Sequence, residues 1–282
     1  MLATPEARAN RQQPALPGRF PSWSLHHQRM LGERGRRGDG KDGRLVYTEQ
    51  GAYYGDGAIS GITRATMSLR LYYHPLSSYC WKVLIALYET GVAFEGEIVD
   101  LSDPEARERF VRMTPLAKFP VLVDEEAGKG FPESSIIIEY LAMKNPGSAR
   151  LIPTDRDLAL RVRLSDRFYD LYVHDKMQRI VGDRLRPEGA KDPHGVEKLR
   201  NDLEVALSLV DRDMAEGGWA TGLTFTMADC AAAPALYYAN QVAPFGDRHP
   251  GAARYLERLM ARPSFARVLE EAAPYFANFP SE

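Results

Sequence analysis

Cysteine is scarce in this chain: its 282 residues include two, Cys80 and Cys230. That is too few for a disulfide framework and fits a reducing compartment. No uninterrupted apolar run approaches the length of a bilayer span, so no membrane contact is expected and a soluble, cytoplasmic protein is the default. A strong charge of one sign is missing too. The 36 basic and 38 acidic residues leave a net charge of -2, which gives no reason to expect nucleic-acid binding. No internal repeat is visible. What remains, 44% hydrophobic and 26% charged residues, is a globular composition with enough length for one large domain or two ordinary ones.

Residues 1–66 also lack any sustained apolar period. They carry Pro14, Pro17 and Pro21, then a run rich in glycine and charge from Leu31 to Gly43. Such a stretch buries too little apolar surface to offset the entropy of ordering it, so a poorly ordered extension is expected. It has no apolar core of a secretory signal, and its acids and glycines argue against an organelle-targeting peptide. Two accounts stay open: a leader read from a misplaced start, with Met67 the real beginning, or a disordered regulatory tail. Isolated groups such as Leu45-Val46-Tyr47 have only weak strand character.

From residue 67 to 146 strand and helix patterns alternate. Leu69–Tyr73 reads as a strand and Tyr79–Thr90 as a helix with Val83, Leu84, Ala86 and Leu87 inward, stopped by Gly91. Phe94–Asp100 reads as a second strand, Pro104–Met113 as a helix burying Phe110, and Pro120–Val123 as a third strand. Gly128 and Gly130 suggest a hairpin into a short strand near Phe131, followed by a helix over 134–143. The order βαβαββα is that of a thioredoxin-like domain. Asn145–Asp155, with Pro146, Gly147 and Pro153, reads as a linker. Residues 155–282 read as an all-helical second domain, with helices at Leu158–Val181, Val196–Met214, Phe225–Asn240, Gly251–Met260 and Pro263–Ala272. The fold class is therefore α/β plus all-α. Thr226-Met227-Ala228-Asp229 reads as an N-capping box with Asp in place of Glu, a structural role.

Two polar helix starts carry the chemistry. Ser77-Ser78-Tyr79-Cys80-Trp81-Lys82-Val83 follows an apolar strand and gathers two hydroxyls, a thiol and helix N–H groups at one spot, a place where a thiolate can be held. Glu133-Ser134-Ser135 opens the other.

With these motifs the chain from about Met67 onward resembles the cytosolic glutathione transferases of the serine/cysteine type. It is distantly similar to the zeta class, whose maleylacetoacetate isomerases carry Ser-Ser-x-x-Trp, but has Tyr79 and Cys80 where that class has Cys and Ser. The resemblance implies that Ser77 donates to the glutathione sulfur. A thiol is a poor nucleophile until deprotonated, and a hydroxyl with a helix N-terminus favours the anion. Ser78 then assists or caps the helix. Cys80 is a buried spacer or a catalytic part, His74 a contact or an exposed turn residue, and Tyr72 or Tyr73 a rival donor. Phe119-Pro120 matches the family's cis-proline pair, which binds the cysteinyl backbone. Lys118 meets a carboxylate or faces water, and Glu133 and Ser134 suit the γ-glutamyl group.

Phe168, Tyr172, His174 and Met177 are candidate pocket residues for a small hydrophobic electrophile, with Tyr172 or His174 polarising it. The resemblance further implies glutathione as co-substrate, no metal, and a homodimer. The leading function is conjugation. The alternatives are zeta-like isomerisation or dehalogenation, and a non-catalytic glutathione-binding or redox-regulatory protein.

Overall fold

The computed structural model describes residues 46–48, 51–53, 68–145 and 151–280. Strands β1 (Val46–Thr48) and β2 (Gly51–Tyr53) form an antiparallel hairpin. Otherwise the expectations for residues 1–66 lie outside the described residues, as do residues 146–150 of the linker.

The expected βαβαββα order follows. Strand β3 (Leu69–Tyr73) leads to helix α1 (Ser78–Thr90), β4 (Glu95–Ile98), α2 (Pro104–Met113), β5 (Val121–Asp124), β6 (Lys129–Phe131) and α3 (Ser134–Lys144). The sheet order is β4-β3-β5-β6, with β4 parallel to β3 and the other pairs antiparallel. Local chemistry sets the boundaries. Gly91 takes the left-handed conformation that ends α1, at φ 65°. Asp103 caps α2 by accepting from the Glu105 N–H, with Pro104 in the first turn. Strand β4 is shorter than the Phe94–Asp100 expected. It is a solvent-exposed edge, whereas Phe94 turns in against Tyr88.

The second half is all helical, as expected: α4 (Arg156–Phe168), α5 (Asp175–Arg184), α6 (Pro193–Asp213), α7 (Met227–Val242), α8 (Pro250–Met260) and α9 (Pro263–Ala272). The single helix expected over Leu158–Val181 is instead α4 and α5 joined by a π-helical segment, Tyr169–His174. Helix α7 forms the centre of the core. Its run Ala231-Ala232-Ala233-Pro234-Ala235 is buried, and small side chains let α1, α4 and the π segment approach closely.

The start of α7 bears out the structural reading of Asp229. Buried Asp229 Oδ2 accepts from the Thr226 N–H at 2.8 Å and the Thr226 hydroxyl at 3.1 Å. Its Oδ1 accepts from the Ala220 N–H at 2.8 Å and the Tyr255 hydroxyl at 2.6 Å. Asp229→Ala leaves these donors buried and unpaired, so it is expected to lower the unfolding free energy by at least about 2 kcal/mol. Urea denaturation followed by circular dichroism measures this.

Candidate active site

The strand register brings the two polar helix starts together. Tyr72 pairs with Val121, and Leu122 with Phe131. The C-terminal ends of β3 and β6 and the N-terminal end of β5 therefore lie at one end of the sheet. There β3 feeds the turn into α1, β5 follows Phe119-Pro120, and β6 feeds the start of α3. The Phe119-Pro120 peptide bond is cis.

The turn before α1 is held from three sides. Ser77 N–H donates to the His74 carbonyl at 3.0 Å, and Leu76 N–H donates to His74 Nδ1 at 3.2 Å. The Trp81 indole donates to the Pro75 carbonyl at 2.5 Å. The Tyr238 hydroxyl, from α7, donates to the Leu76 carbonyl at 2.9 Å. Trp81 itself is fully buried among Tyr237, Tyr238, Phe265 and Phe276.

Within this frame the candidate nucleophile partners separate. Ser77 is the half-buried, extended N-cap of α1, and its hydroxyl makes no capping bond. The Cys80 thiol lies beside that hydroxyl, but complete burial pushes its pKa up to about 12 against the opposing hydrogen bonds from Ser77 and the His74 backbone. Cys80 is therefore a neutral thiol at physiological pH. Ser78 is buried, with its Oγ 2.6 Å from His174 Nε2. Burial, assisted by the Lys82 charge, brings the His174 pKa down to about 3, so this imidazole is neutral. Tyr79 stacks on it with centroids 4.0 Å apart.

Tyr73 packs with the main core and senses Glu271 and Tyr275, whereas Tyr72 joins the separate Phe110 and Val121 cluster. Burial raises both phenol pKa values. His74 is part-buried rather than an exposed turn residue, and burial lowers its pKa.

Lys118 is exposed, and the Phe119 ring stacks on Phe110 at 4.5 Å. Glu133 is the exposed N-cap of α3, close enough to raise the pKa values of Tyr79 and Arg167. Ser134 is buried in the first turn of α3. Of the four candidate pocket residues, Tyr172 is exposed, and Phe168 is part-buried with its ring 5.7 Å from Tyr172. Met177 and His174 are buried: Met177 belongs to the core and His174 is engaged with Ser78.

One part of the constellation was not anticipated. Lys82, fully buried on α1, places its ammonium 2.6 Å from Asp166, 2.8 Å from Asp170 and 2.8 Å from the Ser135 hydroxyl. Arg167 closes the group at 2.7 Å from Asp166 and 2.6 Å from Asp170, and also meets Ser135. Two cations and two carboxylates balance. The legible signal was a lysine between Trp81 and Val83 on an otherwise apolar helix, with two aspartates one turn apart on a distant one.

Comparison with known proteins decides the family. The glutathione S-transferase N-terminal domain family matches residues 71–149, and the C-terminal domain family matches residues 193–258. Glutathione S-transferase 3 of Zea mays is 30% identical over 71% of this chain and 93% of its own length. The chain belongs to the glutathione S-transferase family. Another relative of this transferase is a probable maleylacetoacetate isomerase of Caenorhabditis elegans, 28% identical over 72% of the chain and 94% of that protein. A glutathione S-transferase of Methylobacillus flagellatus, solved with GSH bound, is 31% identical. It covers 71% of this transferase and 98% of its own chain, with a TM-score of 0.66.

Two outcomes follow for the transferase. Folded His174 protonates only near pH 3, whereas an unfolded histidine protonates near 6.5. Between these values the unfolded chain binds the extra proton, so stability is full above pH 6.5 and declines as pH falls. The slope from this group is about 1.4 kcal/mol per pH unit. Denaturant midpoints of the wild type should drop from pH 6.5 to 5, and His174→Phe should flatten that slope. Removing one partner from the buried ion cluster should be severe. Lys82→Met is expected to lower the unfolding free energy by about 3–5 kcal/mol, read from the same denaturation curves.

Proposed function

We propose that this transferase binds glutathione at the shared end of the sheet and activates its thiol with Ser77, for attack on a small hydrophobic electrophile. The observation that carries this reading is the division of labour at the start of α1. Ser77 offers a half-buried hydroxyl that no capping bond claims at the positive end of the helix, Ser78 is buried against His174, and Cys80 is buried and protonated. A thiolate there gains a hydrogen bond and the field of the first-turn N–H groups. Pro120 and the residue before it would meet the cysteinyl backbone of an extended tripeptide. Glu133 suits its γ-glutamyl ammonium, and Ser134 with the α3 N-terminus suits the neighbouring carboxylate. Lys118, exposed beside Phe119, suits the other carboxylate.

A thiol difference spectrum across pH on the full-length protein with glutathione tests this. The bound thiol is expected to titrate well below free glutathione, and Ser77→Ala to abolish most of that shift. Binding without a shift, or an unchanged Ser77→Ala spectrum, moves the reading to a non-catalytic glutathione-binding protein.

Isomerisation by addition and elimination of glutathione is the second reading. It is favoured by the Ser77-Ser78-x-x-Trp81 pattern and the likeness to the nematode protein named as a probable maleylacetoacetate isomerase. The same activated thiolate serves both. Conversion of a cis-enoic 4-oxo acid to its trans isomer without net glutathione consumption distinguishes them.

The homodimer expected from the resemblance is part of the proposal. Ile136 and Met143 on α3, with Leu160, Leu164 and Leu171 beyond them, are exposed apolar side chains. The Arg163–Glu139 ion pair ties α3 to α4 there. A second copy covering this face explains their exposure. Leu160→Glu with Leu164→Glu is expected to give a monomer in sedimentation velocity, from a dimeric wild type.

A further inference from the structure

One contact joins the two halves of the chain beside the thiol-activating hydroxyl. The Ser78 Oγ to His174 Nε2 distance is 2.6 Å, and both side chains are buried. His174 comes from the π-helical segment, and its ring lies on Tyr79 with an interplanar angle of 18°. The stack fixes the plane of the imidazole while Nε2 meets the first turn of α1. The charged group that bears on it is Lys82, itself held by Asp166 and Asp170.

A neutral imidazole carries one N–H, and a serine hydroxyl carries one proton and two lone pairs. With the imidazole proton on Nδ1, Ser78 gives its own proton to His174 and has none left. With the proton on Nε2, His174 donates to the serine oxygen and the hydroxyl proton remains for another acceptor. A bound thiolate selects the second arrangement, because a hydrogen bond to an anion is about twice as strong as one between neutral groups.

We propose that His174 is a positioning residue whose Nε2–H donates to Ser78 Oγ and so turns the Ser78 hydroxyl proton toward the glutathione sulfur. This gives the thiolate a second donor beside Ser77, and it rests on the reading of the α1 N-terminus as the thiol site. His174 takes no proton in the step: the thiol proton leaves to solvent, and the pair keeps its two protons throughout.

The test uses the full-length enzyme with glutathione as the probe. His174→Phe keeps an aromatic ring on Tyr79 and removes the donor. It is expected to raise the apparent pKa of the bound thiol by about one unit and lower kcat about tenfold below that pKa. The KM for glutathione should stay within about twofold. His174→Gln, whose amide can donate, should recover most of the loss. Ser78→Ala removes the same bond from the other side and should reproduce the shift, so the test survives if His174→Phe does not fold. The double variant should be no worse than Ser78→Ala alone. Imidazole 15N shifts of the wild-type complex should show a protonated Nε2.

An unmoved thiol titration in both single variants, additive effects in the double, or an unprotonated Nε2 in the complex overturns the proposal. A wild type whose bound thiol titrates like free glutathione is a separate failure. That result removes the thiol-site reading first and this proposal with it.

Discussion

The buried charge cluster around Lys82 is the constraint on which the rest of the molecule depends. It ties the first helix of the thioredoxin-like half to Asp166 and Asp170 of the helical half and to Ser135 at the start of α3. Apolar packing of α1 on α7 holds the halves together but tolerates sliding. Directional, low-dielectric bonds between fixed charges do not. With α1 and the α4 helix locked in register, the π segment that follows Asp166 sets His174 against Ser78 and Tyr79. Such a cluster is weak evidence for net stability, because desolvating Lys82, Asp166 and Asp170 opposes their attraction. Its contribution here is position.

The same burial shapes the electrostatics of the site. The Cys80 thiol and the His74 and His174 rings are all pushed toward their neutral forms by desolvation. The end of the sheet where an anion would sit is therefore free of a competing thiolate. The first-turn amides of α1 and α3 and the serine hydroxyls beside them lie at that end, dipoles whose positive ends favour an anion. Preorganised dipoles need no proton exchange to do this, and they hold their alignment across the physiological pH range.

Much of this was legible from residue order, and the exceptions share a cause. Gly91, the Asp103-Pro104 pair and the Thr226–Asp229 box marked helix ends because capping is decided within a few residues. The two polar helix starts were readable from residue type, and the cis Phe119-Pro120 bond through family resemblance. The overlong Phe94–Asp100 strand failed because an exposed edge gives no periodic signal to show where pairing stops. The π segment was invisible because helical periodicity does not distinguish one widened turn, and this turn is packed on α6 and α7. The Lys82 cluster was missed because its partners lie far along the chain. His174 was assigned to an open pocket for the same reason: an aromatic spacing does not say which neighbour claims the ring.

The aromatic bed beneath Trp81 has a consequence for how the turn is maintained. Trp81 anchors the turn that presents Ser77, yet two of the rings packed on it, Phe265 and Phe276, belong to α9 and the turn that follows it. Phe279 adds to the same bed through Tyr238. The turn and the rings that support it come from elements far apart in the sequence. Loosening α9 therefore loosens the turn as well, so the placement of the Ser77 hydroxyl depends on rings contributed by a distant part of the sequence.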